Sequence, residues 1–144
     1  MLLFRGRADN LPRGDDRAMH QGSCLCGAVS FEVTGELNPP VACHCSMCRK
    51  QSGHYWASTD VARADLTIHG ADQLTWYHSS EHVRRGFCSR CGAALFWDPV
   101  RRDRIAVAMG ALALPTATRL RMHIYVADKG DYYDIADGLP QNQQ

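Results

Sequence analysis

The chain has 144 residues, enough for one domain with a core of its own. At 45% hydrophobic and 22% charged residues its usage is ordinary for a globular protein, which excludes wholesale disorder. The net charge of +1, with no long basic run, excludes the electrostatic footprint of a dedicated nucleic-acid binder.

Residues 1–21 mix glycine, proline and charges of both signs, and read as a flexible N-terminal tail ahead of a domain spanning 22–144. Nothing in the chain resembles a signal peptide or a membrane span, so the expectation is a cytoplasmic protein with no membrane partner. From Gly27 onward the apolar pattern has a period of two. In "AVSFEVT", Val29, Phe31 and Val33 share one face and Ser30, Glu32 and Thr34 the other, the signature of a half-buried strand. "NPP" at 38–40 breaks it. A helix is expected only after Ser46, a candidate cap, through about Gln51. "HYWAST", "DLTIHG", "LTWYHS", "AALFWD", "RIAVAMG" and "MHIYVA" are further short β-rich runs separated by Gly, Asp or Pro. The fold class is therefore mainly β: a single domain of many short antiparallel strands, with little helix.

Seven cysteines are the most informative count. A reducing compartment disfavours disulfides, and an odd number cannot pair completely, so metal is the economical explanation. They fall into "CLCG" (Cys24, Cys26), "CHCSMC" (Cys43, Cys45, Cys48) and "CSRCG" (Cys88, Cys91). The last is a zinc-knuckle pattern, with Gly92 letting backbone amides approach the sulfurs, and Gly27 ends the first group in the same way. A C-x-C pair on extended backbone sends both side chains one way, and tetrahedral zinc needs sulfurs roughly 3.8 Å apart.

Two pairs complete one four-thiolate site, Cys24, Cys26, Cys88 and Cys91, closed and structural. The other partition joins the trio to a knuckle pair and strands two cysteines; ligand arithmetic favours the first. Cys43, Cys45 and Cys48 then lack a fourth ligand. His44 is adjacent, but on extended backbone its ring points away from both neighbours. His54 and His123 can reach the trio only through the fold, and the remaining option is a position open to water or substrate, the mark of catalytic zinc. Three thiolates and Zn²⁺ sum to −1, a poor Lewis acid for water activation but a natural host for another thiolate. Arg49 and Lys50 follow and either offset that charge, grip a substrate carboxylate or are merely solvated.

"GSCLCGAVSFEV", "CHCSMCRKQSG", "FCSRCGAALF" and "HIYVADKGDYYDIADGLP", in that order and spacing, resemble the glutathione-dependent formaldehyde-activating enzyme family, whose named activity is S-(hydroxymethyl)glutathione synthase. The resemblance runs from about Gly22 to Pro140. It implies a zinc-stapled fold of the Mss-four-like superfamily and two zinc ions per chain. The structural ion is carried by Cys24, Cys26, Cys88 and Cys91, and the catalytic ion by Cys43, Cys45 and Cys48. It further implies a carbon–sulfur lyase that adds a thiol, glutathione by the family's name, to formaldehyde, so that the partners are a small thiol and a small aldehyde. His44, His54 and Arg49 are the candidate donors to the developing alkoxide. Where the family usually has tryptophan after the lysine, "KGDYYDI" offers Tyr132. Two rival readings remain: a zinc-stabilised binding module, which the related centromere protein V domain illustrates but the nearly neutral tail disfavours, and redox cycling of the trio.

Overall fold

A computed structural model describes residues 17–144; most of the expected tail, residues 1–16, lies outside the described residues. Among the described residues ten strands follow in chain order: β1 Met19–Ser23, β2 Ser30–Thr34, β3 Val41–Cys43, β4 Trp56–Ala62, β5 Leu66–His69, β6 Leu74–His78, β7 Val83–Cys88, β8 Ala94–Pro99, β9 Arg104–Ala108 and β10 Met122–Ile124. One α-helix, α1 (Ser46–Ser52), and four short 3-10 turns complete the elements among the described residues. The last residues of the expected tail, Met19–Gln21, thus open β1.

The strands form two sheets, one of order β1-β2-β5 and one of order β10-β3-β4-β9-β8-β7-β6. Neighbours pair antiparallel except β10 and β3, which run parallel with Ile124 opposite Cys43. Period-two alternation decides what each sheet buries. In β2, Phe31 and Val33 turn inward with Val29 just ahead of them, all essentially inaccessible. Ile105 and Val107 of β9, with Leu95 and Phe96 of β8, meet them from the large sheet. Phe31 sets its edge against Phe96 at 5.3 Å between centroids, across the two sheets. Burial of each such side chain contributes about 2–3 kcal/mol.

The opposite face of the large sheet carries a second, smaller cluster. Trp56 of β4 and Ala108 pack with Cys48 of α1, flanked by Trp97, Ala106 and the remaining two cysteines of the trio. The same alternation that sends Val107 into the core sends Ala106 to this face, and it is here that the fold leaves room for a site.

Candidate metal centre

The described residues bring all seven cysteines into two groups, and every thiol is free. Cys24, Cys26, Cys88 and Cys91 form one, Cys43, Cys45 and Cys48 the other, with the sulfurs of each group within 4.8 Å of one another. The partition that joined the trio to a knuckle pair does not occur.

The quartet is built where β1 ends and where β7 turns toward β8. Cys24 and Cys88 are buried in the main core, whereas Cys26 is exposed. Gly27 and Gly92 take φ of +80° and +76°, left-handed conformations that tighten both turns. Backbone amides of Val29 and Arg90 donate to Cys24 Sγ and Cys88 Sγ at 3.3 and 3.4 Å. The sulfurs of Cys24 and Cys26 lie 3.7 Å apart, and those of Cys26 and Cys88 3.8 Å. Both match the edge of a thiolate tetrahedron around zinc, roughly 3.8 Å, so these residues fit a closed four-ligand ion.

The trio is local. Cys43 closes β3, Cys45 is the N-cap of α1, and Cys48 sits one turn into the helix. Ser46, expected as the cap, is instead the first helical residue, because Cys45 Sγ accepts from the Cys48 amide at 3.4 Å. A thiolate at the cap is both helix cap and metal donor, and Gly53 ends the helix in the left-handed conformation. Cys48 is held down to about 6, first by its contact with the Cys43 thiol, against its own burial, and then by the Arg85 guanidinium. Cys43 is driven far above the ordinary thiol range by the same contact and by burial. Of the three thiols, Cys48 is the one that lies beside a cation.

That cation is Arg85 of β7, which the sequence did not single out. It is 5% exposed. Its Nη1 donates to Gln51 Oε1 at 3.1 Å and to Cys48 Sγ at 3.5 Å, and its Nε to Ser79 Oγ at 3.3 Å. All three thiols of the trio, Arg85, Trp56 and Trp97 line one cavity of about 870 Å³, within the range of small-molecule sites. None of the quartet does.

The residues expected to serve the trio are elsewhere. His44 is 1% exposed and, as alternation required, faces away from its cysteine neighbours. Its Nε2 lies 2.8 Å from His123 Nδ1, His123 Nε2 lies 2.7 Å from Asp137 Oδ2, and the Tyr133 hydroxyl meets His44 Nδ1. One proton arrangement satisfies the whole chain: Tyr133 donates to a neutral His44, His44 to a neutral His123, and His123 to the Asp137 carboxylate. Burial, then repulsion from His123, His54 and Lys129, holds His44 down to about 4, so it is neutral at pH 7. His54 packs against the Tyr133 ring at 4.1 Å, and Tyr132 lies beside both; neither lines the cavity. The Tyr132 departure therefore bears on this outer aromatic cluster. Arg49 and Lys50 do not line the cavity either, and Arg49 Nε is buried without a hydrogen-bond partner among the described residues.

Comparison with known proteins gives these sulfurs a context. The family model for glutathione-dependent formaldehyde-activating enzymes matches residues 19–128. A Halomonas elongata protein that provisionally bears that name is 32% identical over 126 residues, covering 80% of both chains. An uncharacterised lyase of Schizosaccharomyces pombe is 28% identical over 82 residues, 54% of this chain and 56% of its own length. Among solved structures, a Rhodobacter sphaeroides protein superposes with a TM-score of 0.56 at 22% identity, covering 85% of this chain and 98% of the other, a likeness of fold.

Proposed function

The chain belongs to the glutathione-dependent formaldehyde-activating enzyme family, and on that premise we propose that it is a zinc-dependent carbon–sulfur lyase. It joins a small thiol, glutathione first, to formaldehyde to give an S-hydroxymethyl adduct, and catalyses the reverse. Two zinc ions per chain serve different ends. Cys24, Cys26, Cys88 and Cys91 hold a structural ion. Cys43, Cys45 and Cys48 hold the catalytic one. The carrying observation is that three thiolates, with no fourth ligand beside them among the described residues, open on a cavity of about 870 Å³, while the four-thiolate group stands outside it.

Zinc on the trio would supply a position that keeps a substrate thiol deprotonated at neutral pH. The chain's own residues do the rest. Trp56 and Trp97 form apolar walls that exclude water, and Arg85 offsets the net charge of −1 that three thiolates leave on a divalent ion. Holding sulfur and aldehyde carbon together removes the entropy of their encounter. Seven free thiols and thiolate metal sites are at home in a reducing compartment, which supports a cytoplasmic location.

The test is exchange between formaldehyde plus glutathione and their adduct, followed by magnetisation-transfer NMR in buffer, with wild-type holoprotein and with Cys45→Ser. The reading expects wild type to speed exchange and Cys45→Ser not to. Three equal rates would refute the glutathione lyase and leave a binding module with two metal staples.

A further inference from the structure

Arg85 is more than a counter-ion to the thiolates. We propose, building on the lyase reading above, that Arg85 is a catalytic residue: its Nη2 edge receives the negative charge that develops on the aldehyde oxygen as the thiolate sulfur adds. A guanidinium has five N–H donors. In Arg85, Nε is taken by Ser79, and the two hydrogens of Nη1 by Gln51 and Cys48. Nη2 makes no hydrogen bond among the described residues. It is not among the buried unpartnered atoms either, where Arg49 Nε stands alone. Nη2 therefore keeps accessible surface, and on a cavity-lining side chain that is otherwise buried and held at three points we take its two unused donors to serve the reaction space.

Among the described residues no other cation on the wall matches it. Arg121 also lines the cavity, but it is exposed and has no such anchorage. Of the acids there, Asp60 is engaged by Arg104 at 2.6 Å and Asp128 is exposed. His44 and His123 pair on the other side of the sheet, and no histidine among the described residues lines the cavity. A donor fixed before the reaction, aimed where charge will form, is the arrangement that stabilises an oxyanion at least reorganisation cost.

The step balances without any further reagent. A sulfur lone pair forms the S–C bond, and the carbonyl π pair moves to oxygen. The alkoxide accepts hydrogen bonds from Nη2–H and then takes a proton from water, and the hydroxide left behind is neutralised by the proton the thiol released on becoming a thiolate. Arg85 remains a guanidinium cation throughout, so it is a donor to the oxyanion and not a general acid. In reverse, the same contact favours the alkoxide from which the C–S bond breaks.

The test pairs a rate with a binding measurement on zinc-loaded protein. Two inert glutathione thioethers of one shape, S-carboxymethyl and S-isobutyl, differ in whether an anionic oxygen stands near the position of the alkoxide. Wild type is expected to hold the first at least about tenfold tighter, and Arg85→Met to lose that preference. Arg85→Met is also expected to lose about a hundredfold of the exchange acceleration while keeping two zinc ions and its affinity for glutathione. Arg85→Lys, which keeps a charge beside Cys48 without the fork, guards against loss of metal and is expected to lose about tenfold. Equal binding of the two thioethers by wild type, or wild-type exchange by either variant, overturns the assignment while leaving the lyase standing. No acceleration by wild type itself overturns the lyase, and this role with it.

Discussion

Removing one cysteine from each group should separate a staple from a working site. Cys26 and Cys88 lie 62 positions apart, so an ion joining them closes a long loop. By the chain-entropy argument used for cross-links, a loop of that length removes about 4 kcal/mol of freedom from the unfolded state. The trio, confined to Cys43–Cys48, closes a loop of about five residues and removes only about 2 kcal/mol. Cys88→Ser should thus lower stability about twice as far as Cys45→Ser. At roughly 4 °C per kcal/mol for a domain of this size, the melting temperatures should fall by roughly 16 °C and roughly 8 °C. Serine nearly preserves the thiol's volume, so little of either loss is a packing defect, although Cys88 is wholly buried.

The assay is a thermal melt by circular dichroism on each variant, with zinc counted per chain by a colorimetric chelator. Wild type should release one ion to a weak chelator with a drop in melting temperature of roughly 8 °C, as for Cys45→Ser, and the second only on unfolding. Equal destabilisation by the two variants would refute the reasoning. It would mean that both groups are staples, and the difference drawn between them would fail with it.

Three further outcomes are expected. Burial acts to raise the pKa of Asp98, but hydrogen bonds from Arg63 and Arg84 outweigh it and hold the carboxyl below its usual 3.8. Its contribution is therefore present above about pH 4 and lost as pH falls toward the folded value, so Asp98→Asn should cost about 2–3 kcal/mol at pH 7, and the gap from wild type in urea titrations should close below about pH 4. Gly22→Ala would set a Cβ 2.2 Å from Phe31 Cζ and 2.8 Å from the Ala111 carbonyl, so its urea midpoint should show a loss of about 2–3 kcal/mol. His123→Ala breaks the buried chain between His44 and Asp137 and should cost about 2 kcal/mol, yet leave exchange per zinc-loaded chain within about threefold; a hundredfold loss would restore the histidines as proton donors.

The two cysteine pairs and the trio were legible because each spacing is local, and a turn or one helical step brings the sulfurs together, whereas the joining of Cys24 and Cys26 to Cys88 and Cys91 across 62 positions rested on ligand arithmetic. Strands with clean alternation, such as Ser30–Thr34, were legible for the same reason. The short β3 was not, being three residues after a proline pair. Nor was β7, whose "VRRGFC" buries Arg85 and Gly86 in succession, the glycine covered by the Trp76 ring and the arginine by partners from α1 and from Ser79. An arginine in a strand reads as solvated, and only the fold brings Cys48 to it from 37 positions away. His44 and His123, 79 positions apart, carried no spacing signal at all.

Whether the trio keeps an open position depends on the register of β3, since successive side chains face opposite sides and a slip of one residue would exchange Cys43 for His44 in the cavity. Two features oppose that slip. Parallel pairing sets Ile124 opposite Cys43, and the His44 amide donates to the Ile124 carbonyl at 3.0 Å. The hydrogen-bond chain through His123 to Asp137, with Tyr133 on the other nitrogen, occupies both ring nitrogens of His44. An imidazole so engaged offers no lone pair to a metal. In the lyase reading the histidines matter by staying out: they hold the one adjacent side chain able to close the site on the far face of the sheet, and the fourth position is left to the substrate sulfur.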